Sequence, residues 1–145
     1  MTLSITMKEP VTKMTCRVLY GDTDSGGVVY YGNYFRYFEA GRTEFLRLYG
    51  TSYRELESQG YILPVVECGC RYKASARYDD LLVLETSLLE VKKISCRFNH
   101  RILRENDGKL LVKGFTVHAV VDRQGKLTRF PADFMAMLEK ITSED

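Results

Sequence analysis

One helical stripe followed almost entirely by strand-like stretches constrains this chain more than any other feature. Tyr34, Tyr37, Phe38, Gly41, Phe45 and Leu48 recur at spacings of three and four between Asn33 and about Leu48, the period of one apolar helix face. Asn33 is placed to be the N-cap, its side-chain oxygen accepting from an N–H two or three residues on, and Gly50 ends the helix. Glycine in mid-helix costs about 1 kcal/mol against alanine. At Gly41, on the apolar stripe, it would let a sheet approach closely. Glu39 with Arg42 and Glu44 with Arg47 have the spacing of surface ion pairs.

Strand patterns surround that helix. Lys13 to Tyr20 alternates well enough for a strand, and a short helix from Ser52 to Ser58 closes at Gly60. Four strand-like stretches then follow, Ile62–Ala74, Leu81–Val91, Ser95–Arg104 and Leu110–Val121. Arg77-Tyr78-Asp79-Asp80, Lys92-Lys93 and Asn106-Asp107-Gly108 separate them, the last a strong hairpin signal because Asn and Gly tolerate positive φ. Pro131 to Ile141 reads as a closing helix with Phe134, Met137, Leu138 and Ile141 on one side. The expectation is a single α+β domain over 1–145, one long helix wrapped by a curved antiparallel sheet of about five strands. Five strands leave an edge, and Leu81–Val91 and Leu110–Val121 have apolar faces, so a homodimer at least, with a homotetramer favoured, is expected.

Composition narrows the function classes. The 145 residues carry a net charge of +2, which gives no global argument for nucleic acid. No apolar run reaches the roughly 18 residues of a membrane span, and the first ten residues lack a signal-peptide pattern, so a cytoplasmic protein is expected. Cys16, Cys68, Cys70 and Cys96 show no Cys-x-x-Cys spacing, and His100 and His118 are not at ligand spacing from them. Reduced structural thiols, with no metal and no cofactor, are the reading.

Chemistry concentrates in Asp22-Thr23-Asp24-Ser25-Gly26-Gly27-Val28-Val29-Tyr30-Tyr31-Gly32-Asn33-Tyr34, between the first strand and the helix. Two carboxylates lie two residues apart, ahead of a glycine pair and a helix start whose free N–H groups favour negative charge. That combination suits acyl transfer: a carboxylate attacks a carbonyl or activates water while backbone N–H groups take up the oxyanion. The plainer alternative is a loop aspartate bonded to its own backbone, and Asp22 is read that way. Tyr30, Tyr34 and Phe38 are read as core or groove lining.

The Asp22–Tyr34 segment, continuing to Glu39-Ala40-Gly41-Arg42-Thr43-Glu44-Phe45-Leu46-Arg47, resembles the signature of the hotdog-fold acyl-CoA thioesterases. The branch it resembles is that of 4-hydroxybenzoyl-CoA thioesterase and the Tol-Pal-associated acyl-CoA thioesterases. Ala76-Arg77-Tyr78-Asp79-Asp80 and Pro131-Ala132-Asp133-Phe134 also resemble family segments. The resemblance implies a hotdog fold, dimers and often tetramers, and an active site at the dimer interface. It puts the catalytic carboxylate on Asp24 and the carbonyl-polarising backbone N–H on Tyr31, where many relatives have histidine. A backbone donor survives that change of side chain. Ser25 stands where proline or alanine is common, and no function is attached to it.

The implied substrate is an acyl-CoA, with Tyr30 and Tyr34 beside it and Lys92 and Lys93 as the best candidates for its phosphates. Arg71, Lys73 and Arg77 form a second basic stretch. Acyl-carrier protein presents the same thioester and is an alternative donor. A non-catalytic subunit binding acyl-carrier or envelope-assembly proteins is another class, against which an intact Asp24 argues. A hotdog dehydratase would need a histidine near the central helix, and His100 and His118, in strand patterns, are read as structural or exposed.

Overall fold

The computed structural model describes residues 5–143. Strand β1 (Thr12–Arg17) leads through a 3₁₀ turn at Tyr20–Asp22 and a second at Tyr31–Asn33 into helix α1 (Tyr34–Leu48). Helix α2 (Tyr53–Ser58), strands β2 (Val65–Tyr72), β3 (Leu81–Leu89), β4 (Ser95–Arg104) and β5 (Leu110–Ala119), and helix α3 (Ala132–Ser143) follow. All pairings are antiparallel in the order β1-β3-β4-β5-β2, so β1 and β2 are the edges. The expected α+β arrangement of five strands with one long helix is what forms.

Register explains which side chains meet the helix. Leu82, Leu84, Thr86 and Leu88 of β3 stand opposite Arg104, Ile102, His100 and Phe98 of β4, so one alternating set faces α1. Tyr34, Tyr37, Phe38, Gly41 and Phe45 are buried against that face. Leu48, the last member of the predicted stripe and the last residue of the helix, is 61% exposed, whereas Phe45 and Leu46 in the same turn are fully buried. The close approach expected at Gly41 is real: a Cβ there would lie 2.6 Å from Thr86 Oγ1. Gly114 of β5 makes a comparable concession, since a Cβ would collide with the ring of Phe38.

Two local readings need correction. Asn33 is not a side-chain cap; it lies in the 3₁₀ turn with helical backbone, and its Nδ2 donates to the Asp22 carbonyl at 2.9 Å. The cap that does form is on α2, where Ser52 Oγ accepts the Glu55 N–H at 3.2 Å. Glu44 pairs with Arg47 as its spacing suggests. Arg42 instead turns inward, 7% exposed, and donates to the Tyr53 hydroxyl at 2.7 Å.

The core divides along α1. Its first half packs with Val18, Val29, Ala76, Leu82 and Ile102, beneath the Asp22–Tyr34 loop. Its second half packs with α2, α3 and the far ends of β3 and β4. No helix among the described residues is long and apolar enough to cross a membrane.

Candidate active site

The loop between β1 and α1 is a small hairpin pinned at both ends. Thr23 bridges Val29, the Asp24 N–H donates to Val28 O at 2.9 Å, and Gly27, with φ of 80°, makes the turn that only glycine adopts freely. Val29 N–H bonds Ala76 O at 2.9 Å, and Val28 bridges Arg77, which ties the hairpin to the segment leading into β3. Asp24 is exposed, and its Oδ1 accepts the Gly26 N–H at 2.9 Å. That is the local bond of an ordinary loop aspartate. A carboxylate offers about four acceptor sites, so the bond does not consume the group.

A cleft of about 380 Å³ lies against this loop, lined by Asp24, Val28, Val29, Tyr31, Tyr34, Tyr72, Lys73, Ala74 and Ser75. Asp24, Tyr31 and Tyr34 thus line one cleft. The Tyr31 N–H opens the 3₁₀ turn, in which the first bond runs from Asn33 N–H to Tyr30 O at 2.8 Å. The N–H groups at such a start have no partner within the turn. Tyr30 does not line the cleft; it is 46% exposed and packs its ring 4.7 Å from that of Tyr31.

Tyr72 is a contributor that no sequence pattern singled out. Its hydroxyl donates to the Tyr31 carbonyl at 3.0 Å from 41 residues away, at the end of edge strand β2. Burial first, then the Cys70 contact, pushes its phenol up from the usual value. Tyr34 accepts the Ala76 N–H at 3.0 Å, and burial raises its phenol as well. Both rings therefore stay protonated at neutral pH and act as walls and donors rather than bases.

The basic candidates separate. Lys73, from the second basic stretch, lines the cleft with Asp24. Lys92 and Lys93 are exposed beyond the C-terminal end of β3, whereas the Asp24 hairpin adjoins the segment entering its N-terminal end. Nine residues of strand, about 30 Å, lie between. Within one chain the two groups do not meet.

His100 and His118 are buried, not exposed, at 1% and 0%. His100 lies directly beneath the central helix, stacked on Phe38 at 4.5 Å, and both Nε2 atoms approach Thr116 Oγ1, at 3.2 and 3.0 Å. Neither lines the Asp24 cleft. Desolvation, then Arg42, lowers both, His118 to about 4, so they are neutral core groups. Among the described residues no group of three or more His, Cys, Asp or Glu is placed to hold a metal.

Sheet order, the helix beneath it and the hairpin at its entrance define a hotdog fold, and comparison with known proteins agrees. The profile of the Thioesterase-like superfamily matches residues 18–138, and the chain belongs to that family of thioester hydrolases. It is 38% identical over 123 residues to the acyl-CoA thioesterase YbgC of Haemophilus influenzae, covering 83% of this chain and 88% of that one. It is 27% identical to the 4-hydroxybenzoyl-CoA thioesterase of Pseudomonas sp. strain CBS-3, over 94% and 99% of the two chains. A DHNA-CoA thioesterase from Staphylococcus aureus superposes with a TM-score of 0.88 at 26% identity, over 92% and 91%.

Proposed function

We propose that this protein hydrolyses acyl-CoA thioesters to a carboxylic acid and free CoA, with Asp24 as the reacting carboxylate. The observation that carries the reading is one cleft lined by both Asp24 and Tyr31, the latter at a 3₁₀ start. The Asp24 carboxylate attacks the thioester carbonyl, or takes a proton from the water that does. In the first route the C–S bond breaks, CoA leaves as thiolate and is protonated, and water cleaves the mixed anhydride. The Tyr31 N–H takes up the oxyanion in either route. A relative solved with its substrate, 4-hydroxybenzoyl CoA, is an aspartate-to-asparagine mutant, with 25% identity and a TM-score of 0.79 over 88% and 98% of the chains.

Tyr34 walls the acyl end, and Tyr30 shields the 3₁₀ turn from outside. Acyl-carrier protein is the alternative donor; comparing hydrolysis of one acyl group carried on CoA and on carrier protein tests it, and a higher kcat/KM on the carrier would reverse the assignment. Four free cysteines fit a cytoplasmic site of action.

The assembly is a homodimer through β2, with pairing of dimers into a tetramer. Val65, Val66 and nearby Ile62 are 45%, 60% and 44% exposed on or beside this edge, an aggregation hazard unless covered. Sedimentation should find a dimer or larger, and Val66→Lys should shift it toward monomer with loss of activity. An active wild-type monomer would contradict this.

Lys92 and Lys93 then meet the coenzyme phosphates from the second subunit. Their joint replacement by alanine should raise KM severalfold, leave kcat nearly unchanged and flatten the salt dependence of KM. An unchanged KM there, with a raised KM in Lys73→Ala, would move phosphate binding to the lysine of the cleft.

A further inference from the structure

Asp22, read from sequence as an ordinary loop aspartate, occupies a different position from Asp24 two residues on. It is 8% exposed. Its Oδ2 accepts the Leu19 N–H and the Tyr37 hydroxyl, each at 3.0 Å, while Arg36 Nη1 stands 3.7 Å from Oδ1. Its carbonyl accepts the Tyr30 N–H and the Asn33 side-chain N–H, both at 2.9 Å. One residue therefore joins the exit of β1, the first turn of α1 and both flanks of the Tyr31 peptide.

We propose that Asp22, gripped by Tyr37, is a positioning residue that sets the Tyr31 N–H against the Asp24 carboxylate. Tyr37 is a fixed anchor, since it is 6% exposed in the core on α1. The Tyr31 N–H lies between Tyr30 and Asn33, the two residues bonded to the Asp22 carbonyl. Asp24 hangs from the same point through Thr23, whose bridge to Val29 closes the hairpin. Burial, then the Asp22 contact, raises the Tyr37 phenol, so it remains a donor at neutral pH. A buried carboxylate with two donors on one oxygen is a rigid joint. Misplacement of about 1 Å between reacting groups can cost about 10²-fold in rate.

The inference rests on the thioesterase reading of the cleft, and the experiment separates the two. Steady-state hydrolysis of an acyl-CoA is measured for Asp22→Ala, Asp22→Asn, Tyr37→Phe, Asp22→Ala with Tyr37→Phe, and Asp24→Asn. All assays are run where circular dichroism shows each variant folded, and rates are expressed per folded enzyme. Asp22→Ala should lose about 10- to 10²-fold in kcat with KM within about threefold. Asp22→Asn, whose amide oxygen can accept the same two donors, should recover most of that loss. Tyr37→Phe should lower kcat less than Asp22→Ala, and the double variant should be no worse than Asp22→Ala, because the pair acts through one contact. A merely structural role would lower thermal stability and leave kcat per folded enzyme at the wild-type value. That result, with Asp24→Asn inactive, would overturn the positioning role alone. Full activity in Asp24→Asn would overturn the catalytic reading and the positioning role with it. If Asp22→Ala does not fold, Tyr37→Phe and Asp22→Asn decide: wild-type kcat in Tyr37→Phe would count against the grip.

Discussion

Asparagine at Asp24 is expected to lower kcat by at least about 10² while acyl-CoA still binds. The substitution keeps the shape of the side chain and its bond from the Gly26 N–H, found at 2.9 Å. It removes the negative charge and the basicity, which both proposed routes require. The cleft walls, Val28, Val29, Tyr34 and Tyr72, are untouched, so the dissociation constant should change little. Calorimetric titration of the variant with an acyl-CoA checks this half of the expectation. Loss of binding together with turnover would assign Asp24 to substrate capture instead of chemistry.

The second large effect is on stability in acid. His118 is buried and held near 4, against an ordinary value of 6.5, first by desolvation and then by Arg42. His100 is lowered for the same two leading reasons. In the unfolded chain both take a proton near pH 6.5; in the folded chain they resist. Stability from this source is complete above about pH 6.5 and drains away as the pH falls toward 4. Between pH 7 and pH 5, where most carboxylates stay ionised, His118 alone should cost roughly 2 kcal/mol. For a chain of this size that corresponds to a fall in Tm of about 4–8 °C. His118→Gln should be less stable at pH 7 and should show a flatter dependence of Tm on pH across that window. A slope equal to the wild type's would mean that His118 does not control the acid limb.

The sequence made the architecture readable because its signals were local and periodic. The α1 stripe, the strand-like stretch Ser95–Arg104 and the Asn106-Asp107-Gly108 turn each need only neighbours in the chain, and Ser95–Arg104 forms a strand with the predicted bounds. Asp24 and Tyr31 were also within one short segment, so their meeting in a cleft needed only the loop to close. Tyr72 was out of reach for the opposite reason: its partner, the Tyr31 carbonyl, is 41 residues away. The burial of His100 and His118 depended on which face of β4 and β5 met α1, and on Thr116 standing between them. Alternation shows two faces without saying which one is covered. Lys92 and Lys93 stand out in the sequence as a charged turn, whereas distance from Asp24 is a property of sheet length and direction rather than of composition.

The family places this protein among thioester hydrolases, and the remaining claim is that its Asp24–Tyr31 cleft acts on acyl-CoA. Free thiol released from a panel of short aliphatic, long aliphatic and aromatic acyl-CoAs, measured alongside the carboxylic acid formed, tests that most directly. The wild type should release thiol and acid catalytically and in equal amounts from at least one member, and Asp24→Asn should release them at least about 10²-fold more slowly. No release above the uncatalysed rate from any member, or equal release by both proteins, would contradict that claim.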